Sequence, residues 1–202
     1  MNEPNPGNPN DKPTGAATGW QLLQTERLNE TALLKWRRDQ LKVEGKGDFD
    51  YSYIEKAQAV LIVPVTADGQ MVLIRQYRYP VDEWCLEIPA GGTHDTGDAG
   101  LEEVARKELS EEIGATCAEL EFITAFHAEP SMTDEKCHVY LALGVEMSRE
   151  PHMEATERIE MQMVPVVEAF NMAREGKMKS GPCTLAVFLC QNALERHGFT
   201  TR

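Results

Sequence analysis

Between Pro89 and Gly114 the chain reads PAGGTHDTGDAGLEEVARKELSEEIG, a glycine-rich turn followed by a charged helix. No other stretch limits so tightly what this chain can become. On a wheel of about 100° per residue, Leu101, Val104, Ala105, Leu109 and Ile113 share one apolar arc. Glu108 and Glu112 fall inside that arc, one helical turn apart, so their side chains lie one above the other. Glu111 sits at the edge of the arc. Carboxylates turned toward a core repel each other and lose hydration, which is costly without a compensating cation. Hard divalent ions such as Mg²⁺ accept carboxylate and phosphate oxygens. The alternative is a solvated glutamate-rich face, and the spacing by itself leaves both open.

The turn in front of the helix adds the missing context. Glu108-Leu109-Ser110-Glu111-Glu112-Ile113-Gly114 resembles, without gaps, the core of the Nudix box, G-x5-E-x7-R-E-U-x-E-E-x-G-U, where U is aliphatic. The lead-in Leu86-Glu87-Ile88-Pro89-Ala90-Gly91-Gly92 is similar to the strand and turn of the branch that cleaves ADP-ribose and other nucleoside diphosphate sugars. Two positions depart from the box. Lys107 stands in place of arginine, and Ala99 in place of the first glutamate, with the loop one residue longer. Asp98 either supplies that acid or N-caps the helix. Lys107 retains the reach to pair with Glu111 four residues on, but it lacks the planar fork of arginine.

Composition narrows the partners. The net charge of −13 excludes a general nucleic-acid binder, which needs a basic footprint. Five cysteines without a C-x-x-C pair predict reduced thiols in a cytosol. No apolar run approaches the ~20 residues of a membrane helix, and the first residues lack the pattern of a signal peptide.

Taken in order, residues 1–18 read as a disordered tail rich in Pro, Gly and Asn. Residues 19–56 predict a small antiparallel sheet, with strands at Trp20–Arg27, Ala32–Val43 and Phe49–Glu55. Residues 57–202 predict the main domain. Its strands fall at Ala57–Val65, Met71–Tyr77, Trp84–Ile88, Glu119–Phe126, Lys136–Val145 and Glu154–Val164, with a hairpin turn at Asp68-Gly69. Helices follow at Val166–Gly176 and Cys183–His197, the second apolar almost all round. The order predicts an α+β fold, a mixed sheet flanked by helices as an α/β/α sandwich, preceded by the small N-terminal sheet. The histidines show no ligand-like spacing.

The resemblance implies the chemistry. Mg²⁺, with Mn²⁺ as a substitute, would be held by Glu108, Glu111, Glu112 and the Ala90 carbonyl, with Glu87 on the substrate side. Arg75 and Arg78 at a strand end form either a diphosphate clamp or a solvated edge; the resemblance favours phosphate or ribose contact, most for Arg78. His127–Glu135 resembles the catalytic loop of ADP-ribose pyrophosphatases, with Pro130 and Glu135 matching and Ser131 replacing a glycine. Glu135 is then the first candidate for general base and Glu111 the second. The N-terminal sheet is implied to build a homodimer and to lend aromatics to the nucleotide-sugar pocket. Trp36 and Tyr51 are the first candidates, with Trp20, Phe49 and Tyr53 behind them, and core packing is the plainer role for each. The implied reaction is hydrolysis of ADP-ribose to AMP and ribose 5-phosphate. The rivals are cleavage of GDP-mannose or another nucleotide sugar, and a non-hydrolytic regulatory module on the same fold.

Overall fold

A computed structural model describes residues 15–31, 34–94, 97, 99–152 and 158–202. Most of the expected tail, the Ala32 start of the second strand, Asp98 and the Glu154 start of the last strand lie outside the described residues. The chain divides into two compact units. One runs up to Gln58 and includes His127–Lys136, and the other comprises Ala59–Phe126 and Cys137–Arg202.

The first unit is built on three antiparallel strands in sequence order: β1 (Trp20–Glu30), β2 (Leu34–Val43) and β3 (Gly47–Lys56). β2 and β3 pair in an unbroken register from Leu34↔Lys56 to Val43↔Gly47. Alternation along the strands therefore places Arg37, Asp39, Leu41, Tyr51, Tyr53 and Glu55 on one face, and Trp36, Arg38 and Gln40 on the other. The first face is built around an ion network. Arg37 donates from Nε to Asp39 Oδ1 at 2.7 Å, from Nη1 to Glu55 Oε1 at 2.9 Å and from Nη2 to Thr25 Oγ1 at 3.1 Å. All three charged groups are buried, and each has an opposite charge and hydrogen bonds, the condition under which buried ions are tolerated. The Arg37 guanidinium lies 5.5 Å from the Tyr53 ring centre, and burial pushes the Tyr53 phenol up to about 12.

The second unit contains β4 (Ala59–Val65), β5 (Gln70–Arg78), β6 (Glu83–Glu87), β7 (Ala90–Gly92), the helix α1 (Leu101–Ile113) and most of β8 (Ala115–His127) and β9 (Lys136–Met147). It ends with β10 (Ile159–Pro165), α2 (Val166–Arg174), α3 (Gly181–Leu189) and α4 (Gln191–Arg196). The sheet runs β10-β5-β4-β9-β8, with β4 and β9 parallel and β5 antiparallel to both β4 and β10. The hairpin between β4 and β5 closes at Val65↔Met71, and beyond that pair each strand takes another partner. β5 pairs with β6 from Ile74↔Glu87 to Arg78↔Glu83, while β4 pairs with β7 from Leu61↔Ala90 to Ala59↔Gly92. The chain passes from one to the other at Ile88-Pro89, where the Ile62 N–H donates to the Pro89 carbonyl at 2.9 Å. The segment expected to be only a glycine turn thus ends as a short strand, because the divergence of β4 from β5 leaves an edge for it to pair with.

Val104, Ala105, Leu109 and Ile113 of α1 are buried against Val60, Ile62, Val72, Ile74, Tyr140 and Ala142. The alternate β4 residues Leu61, Val63 and Val65 are equally buried, and α3 also packs on this strand. β4 is therefore covered on both faces, which accounts for its unbroken apolar run, and the α+β sandwich read from the element order is what forms. One expectation is corrected. The segment Cys183–His197 is two helices meeting at Cys190, and its apolar surface is not fully covered. Leu185 and Leu189 are 41% and 37% exposed, whereas Cys183, Ala186 and Val187 are buried.

At the end of α1, Gly114 adopts φ +64°, and its N–H donates to the Ser110 carbonyl at 3.0 Å. Its own carbonyl accepts from the N–H groups of Ser148 and Arg149. A Cβ here would stand 2.1 Å from the Arg149 carbonyl oxygen, so alanine is opposed by both dihedral and contact. Gly114→Ala is expected to lower the unfolding free energy by on the order of 3 kcal/mol, at the upper end of the range for such backbone strain. Urea denaturation checks this, and a loss under about 0.5 kcal/mol, the range of an ordinary surface substitution, would contradict it.

Candidate metal and substrate site

The crossing from β6 to β7 and the inward face of α1 meet at one place in the second unit. The Ala90 N–H donates to Glu112 Oε2 at 3.0 Å, and Glu112 is only 2% exposed. One turn earlier on α1 the Glu108 carboxylate lies against Gly91. A Cβ added to that glycine would stand 2.0 Å from Glu108 Cδ. The space a side chain would fill is occupied by a carboxylate, which is why this position needs glycine. Glu108 and Glu112 therefore do face the sheet, at the backbone of Ala90 and Gly91, as their place on the apolar arc implies.

Glu111 turns aside from them. Lys107 Nζ lies 3.1 Å from Glu111 Oε2, with both side chains about 40% exposed. The lysine at the arginine position thus makes the pair within reach four residues on, in solvent, where such a contact is worth only about 0.3–0.5 kcal/mol. α1 begins at Leu101 with Gly100 as its N-cap, and among the described residues no side chain caps it.

A second pair of groups sits on the same unit. Arg78 donates from Nε to Glu87 Oε1 at 3.1 Å and from Nη2 to Glu87 Oε2 at 2.5 Å. Glu87 is buried at the end of β6, while the Arg78 side chain is 43% exposed. Burial alone would lower the Arg78 pKa, but the hydrogen bonds and charge of Glu87 outweigh it and the net shift is upward; Glu112 contributes in the same direction. Arg78 is thus a fixed cation with part of its fork open to solvent. Nearby, burial and the Glu87 charge push the Cys183 thiol up to about 11, so it stays protonated and unreactive at neutral pH. Gln76, on the same face of β5 as Arg78, buries its Oε1 without a hydrogen-bond partner among the described residues.

Arg75 does not join Arg78. Three residues apart on a strand, the two point to opposite faces. Arg75 pairs with Glu160 at 3.1 Å and lies 4.9 Å from the Trp84 ring centre. Of the two alternatives left by the sequence, a clamp or a solvated edge, Arg75 is found in the second. The aromatics separate by the same alternation. Trp36 and Tyr51 occupy opposite faces of the first unit's sheet, Trp36 being 50% exposed and Tyr51 donating from its hydroxyl to the Ser131 carbonyl at 3.2 Å. Trp20 packs edge-on against Phe49 at 5.3 Å. Glu135 is in the first unit, with Oε1 2.6 Å from Lys56 Nζ. Lys56 gave no signal in sequence, since pairing it with Glu135 requires the register of a loop against β3.

The Ala90 carbonyl and the carboxylates of half-buried Glu108 and buried Glu112 would offer only oxygens, and such a set fits a hard divalent cation. The closely approaching Gly91 backbone supports the fit. A second acidic group lies elsewhere: ligand atoms of Glu119, Glu121 and His197 come within 4.8 Å of one another. There Arg196 already neutralises Glu121 at 2.7 Å.

Residues 55–184 match the sequence profile of the NUDIX domain. A Mycobacterium tuberculosis protein named ADP-ribose pyrophosphatase is 30% identical over 161 residues, 79% of this chain and 77% of that one. A Bacillus methanolicus protein named methanol dehydrogenase activator is 24% identical over 168 residues, covering 83% and 90%. In fold, the chain superposes on a crystal structure described as an ADP compounds hydrolase with a TM-score of 0.77 at 21% identity, covering 89% of this chain and 96% of the other.

Gly91→Ala tests the geometry directly. The obstructing atoms are the far end of a flexible side chain, so the fold should survive while Glu108 is displaced. The expected result is a Tm within a few degrees of wild type, as for a change of under about 1 kcal/mol, together with at least about tenfold weaker divalent-ion binding, the low end for disturbing a metal site. Calorimetric titration with Mg²⁺ or Mn²⁺ reads it, and unchanged affinity would remove Glu108 from the site.

Proposed function

Since the chain belongs to the Nudix domain family and is a Nudix hydrolase, we propose that it cleaves the pyrophosphate bond of ADP-ribose or a related nucleoside diphosphate sugar. The reaction is Mg²⁺-dependent and yields, from ADP-ribose, AMP and ribose 5-phosphate. The observation that carries this reading is the pairing of buried Glu112 with the Ala90 backbone beside Glu108 and Gly91. The name of the mycobacterial relative supports the substrate class.

A pyrophosphate resists hydrolysis because its anionic oxygens repel a nucleophile. A bound Mg²⁺ would supply the countercharge and Lewis acidity that this demands. Glu108, Glu112 and the Ala90 carbonyl would hold it, with Glu111 contributing after exchange from Lys107. Arg78, prealigned by Glu87, receives the diphosphate through the open part of its fork. Glu135 accepts the proton of the attacking water. The water oxygen forms a bond to one phosphorus as the bridging P–O bond breaks, and the leaving phosphate departs with the bridging oxygen. Arg75, on the far face of β5, takes no part.

We also assign the protein to a homodimer and to the cytoplasm. Leu23, Leu28, Leu34, Trp36 and Phe49 leave a good deal of apolar surface exposed on the first unit, which favours a partner of the same kind. All five cysteines are free thiols, as a reducing compartment would keep them. Among the described residues no helix is long and apolar enough to cross a membrane.

The test is a panel of ADP-ribose, ADP-glucose, GDP-mannose, NADH and diadenosine polyphosphates incubated with Mg²⁺, with product identification. AMP and ribose 5-phosphate should form fastest. Glu112→Gln should reduce turnover by at least about a hundredfold with the fold retained by circular dichroism. Preference for GDP-mannose would move the specificity, and tight binding without turnover of any member would overturn hydrolysis.

A further inference from the structure

The loop that carries Glu135 docks on β3 through one isolated bridge. The Ile54 N–H donates to the Met132 carbonyl at 2.9 Å, and the Asp134 N–H returns to the Ile54 carbonyl at 3.4 Å, making a parallel bridge between Ile54 and Thr133. The Lys56 N–H donates to Asp134 Oδ1 at 2.9 Å, and the Tyr51 hydroxyl reaches the Ser131 carbonyl. The loop is also closed on itself. The Met132 and Thr133 N–H groups both donate to the Glu129 carbonyl at 2.9 Å, and the Glu135 N–H donates to Thr133 Oγ1 at 3.1 Å. Two residues beyond this bridge Lys56 Nζ meets Glu135 Oε1 at 2.6 Å, with the Glu135 side chain only 16% exposed.

A partly exposed ion pair contributes little to stability, so holding the unit together is a poor account of this contact. Its geometry says more. Backbone and side chain of the same lysine grip consecutive loop residues, Asp134 and Glu135, from the last position of β3. Such a two-point grip fixes where a carboxylate points, and orientation is what a proton acceptor needs. We propose that β3 is the scaffold of the base-bearing loop, with Lys56 the positioning residue for Glu135. The proposal rests on the assignment of Glu135 as general base. It predicts that the loop follows the N-terminal sheet in any motion, consistent with the grouping of His127–Lys136 with the strands of the first unit.

The experiment combines kinetics with amide exchange on the full chain. Lys56 is exposed, so Lys56→Met should fold. It is expected to lower kcat on the best substrate of the panel by about tenfold or more, with KM changed less than about twofold. In metal-free protein the Asp134 and Ile54 amides should exchange several-fold faster. Lys56→Arg, which keeps the cation, should restore both. Exchange and kcat at wild-type values in Lys56→Met overturn the scaffold, and faster exchange with unchanged kcat overturns the positioning role. Glu135→Gln separates the premise from the inference. Wild-type turnover in that variant removes Glu135 as base, whereas the exchange of Asp134 in Lys56→Met reports the docking regardless.

Discussion

The hydrogen bond from the Ala90 N–H to the buried Glu112 carboxylate is the contact on which the second unit's geometry depends. It exists because β4 and β5 share a hairpin and then separate, leaving two edges that β6 and β7 occupy in turn. The chain must step from one edge to the other within Ile88-Pro89, and that step aims the following backbone at α1. α1 is in turn held by Val104, Ala105, Leu109 and Ile113, each contributing about 1–3 kcal/mol by burial. That apolar anchorage offsets the cost of keeping Glu112 from water. Without it, the glutamate would turn out into solvent like its neighbour Glu111.

The same arrangement would reconcile a strongly acidic chain with the anionic substrate proposed for it. A net charge of −13 repels nucleotide sugars at long range, so attraction has to be local. Arg78 supplies it. Its bidentate contact with buried Glu87 fixes the guanidinium plane and spends one side of the fork, leaving the rest directed outward. A lysine there would offer charge without alignment. At position 107 the reverse holds, since Lys107 meets Glu111 in solvent and needs only reach.

Much of the fold was legible because β4 is apolar on both faces, Asp68-Gly69 marks a hairpin, and α1 carries a clean helical stripe. The inward placement of Glu108 and Glu112 followed from the same stripe, but periodicity alone left a solvated face equally open. What was illegible depended on pairing that no local pattern encodes. The second role of Pro89–Gly92 as a strand required the divergence of β4 and β5. The separation of Arg75 from Arg78 was in principle readable, since residues three apart on a strand oppose each other. A cluster of like charges at a strand end is equally compatible with a shared clamp and a solvated edge, and only the strand period separates the two. The helix break at Cys190 carries no glycine or proline signal at all.

The N-terminal aromatics show how a resemblance by composition can blur distinct roles. Trp36 and Tyr51 are both large, both on adjacent strands, and both plausible platforms for a base. Register puts them on opposite faces. Tyr51 shares its face with the Arg37–Asp39–Glu55 network, and its hydroxyl is committed to the Ser131 carbonyl of the Glu135 loop. Trp36 stands half-exposed on the other face, beside Arg38. The loop that holds Glu135 is met from both sides of the sheet, by Tyr51 on the ionic face and by Lys56 on the face of Trp36. A charged network suits such a sheet better than an apolar one would. It fixes the register of β2 against β3 through directional bonds, and a slip of one residue would part Arg37 from Glu55.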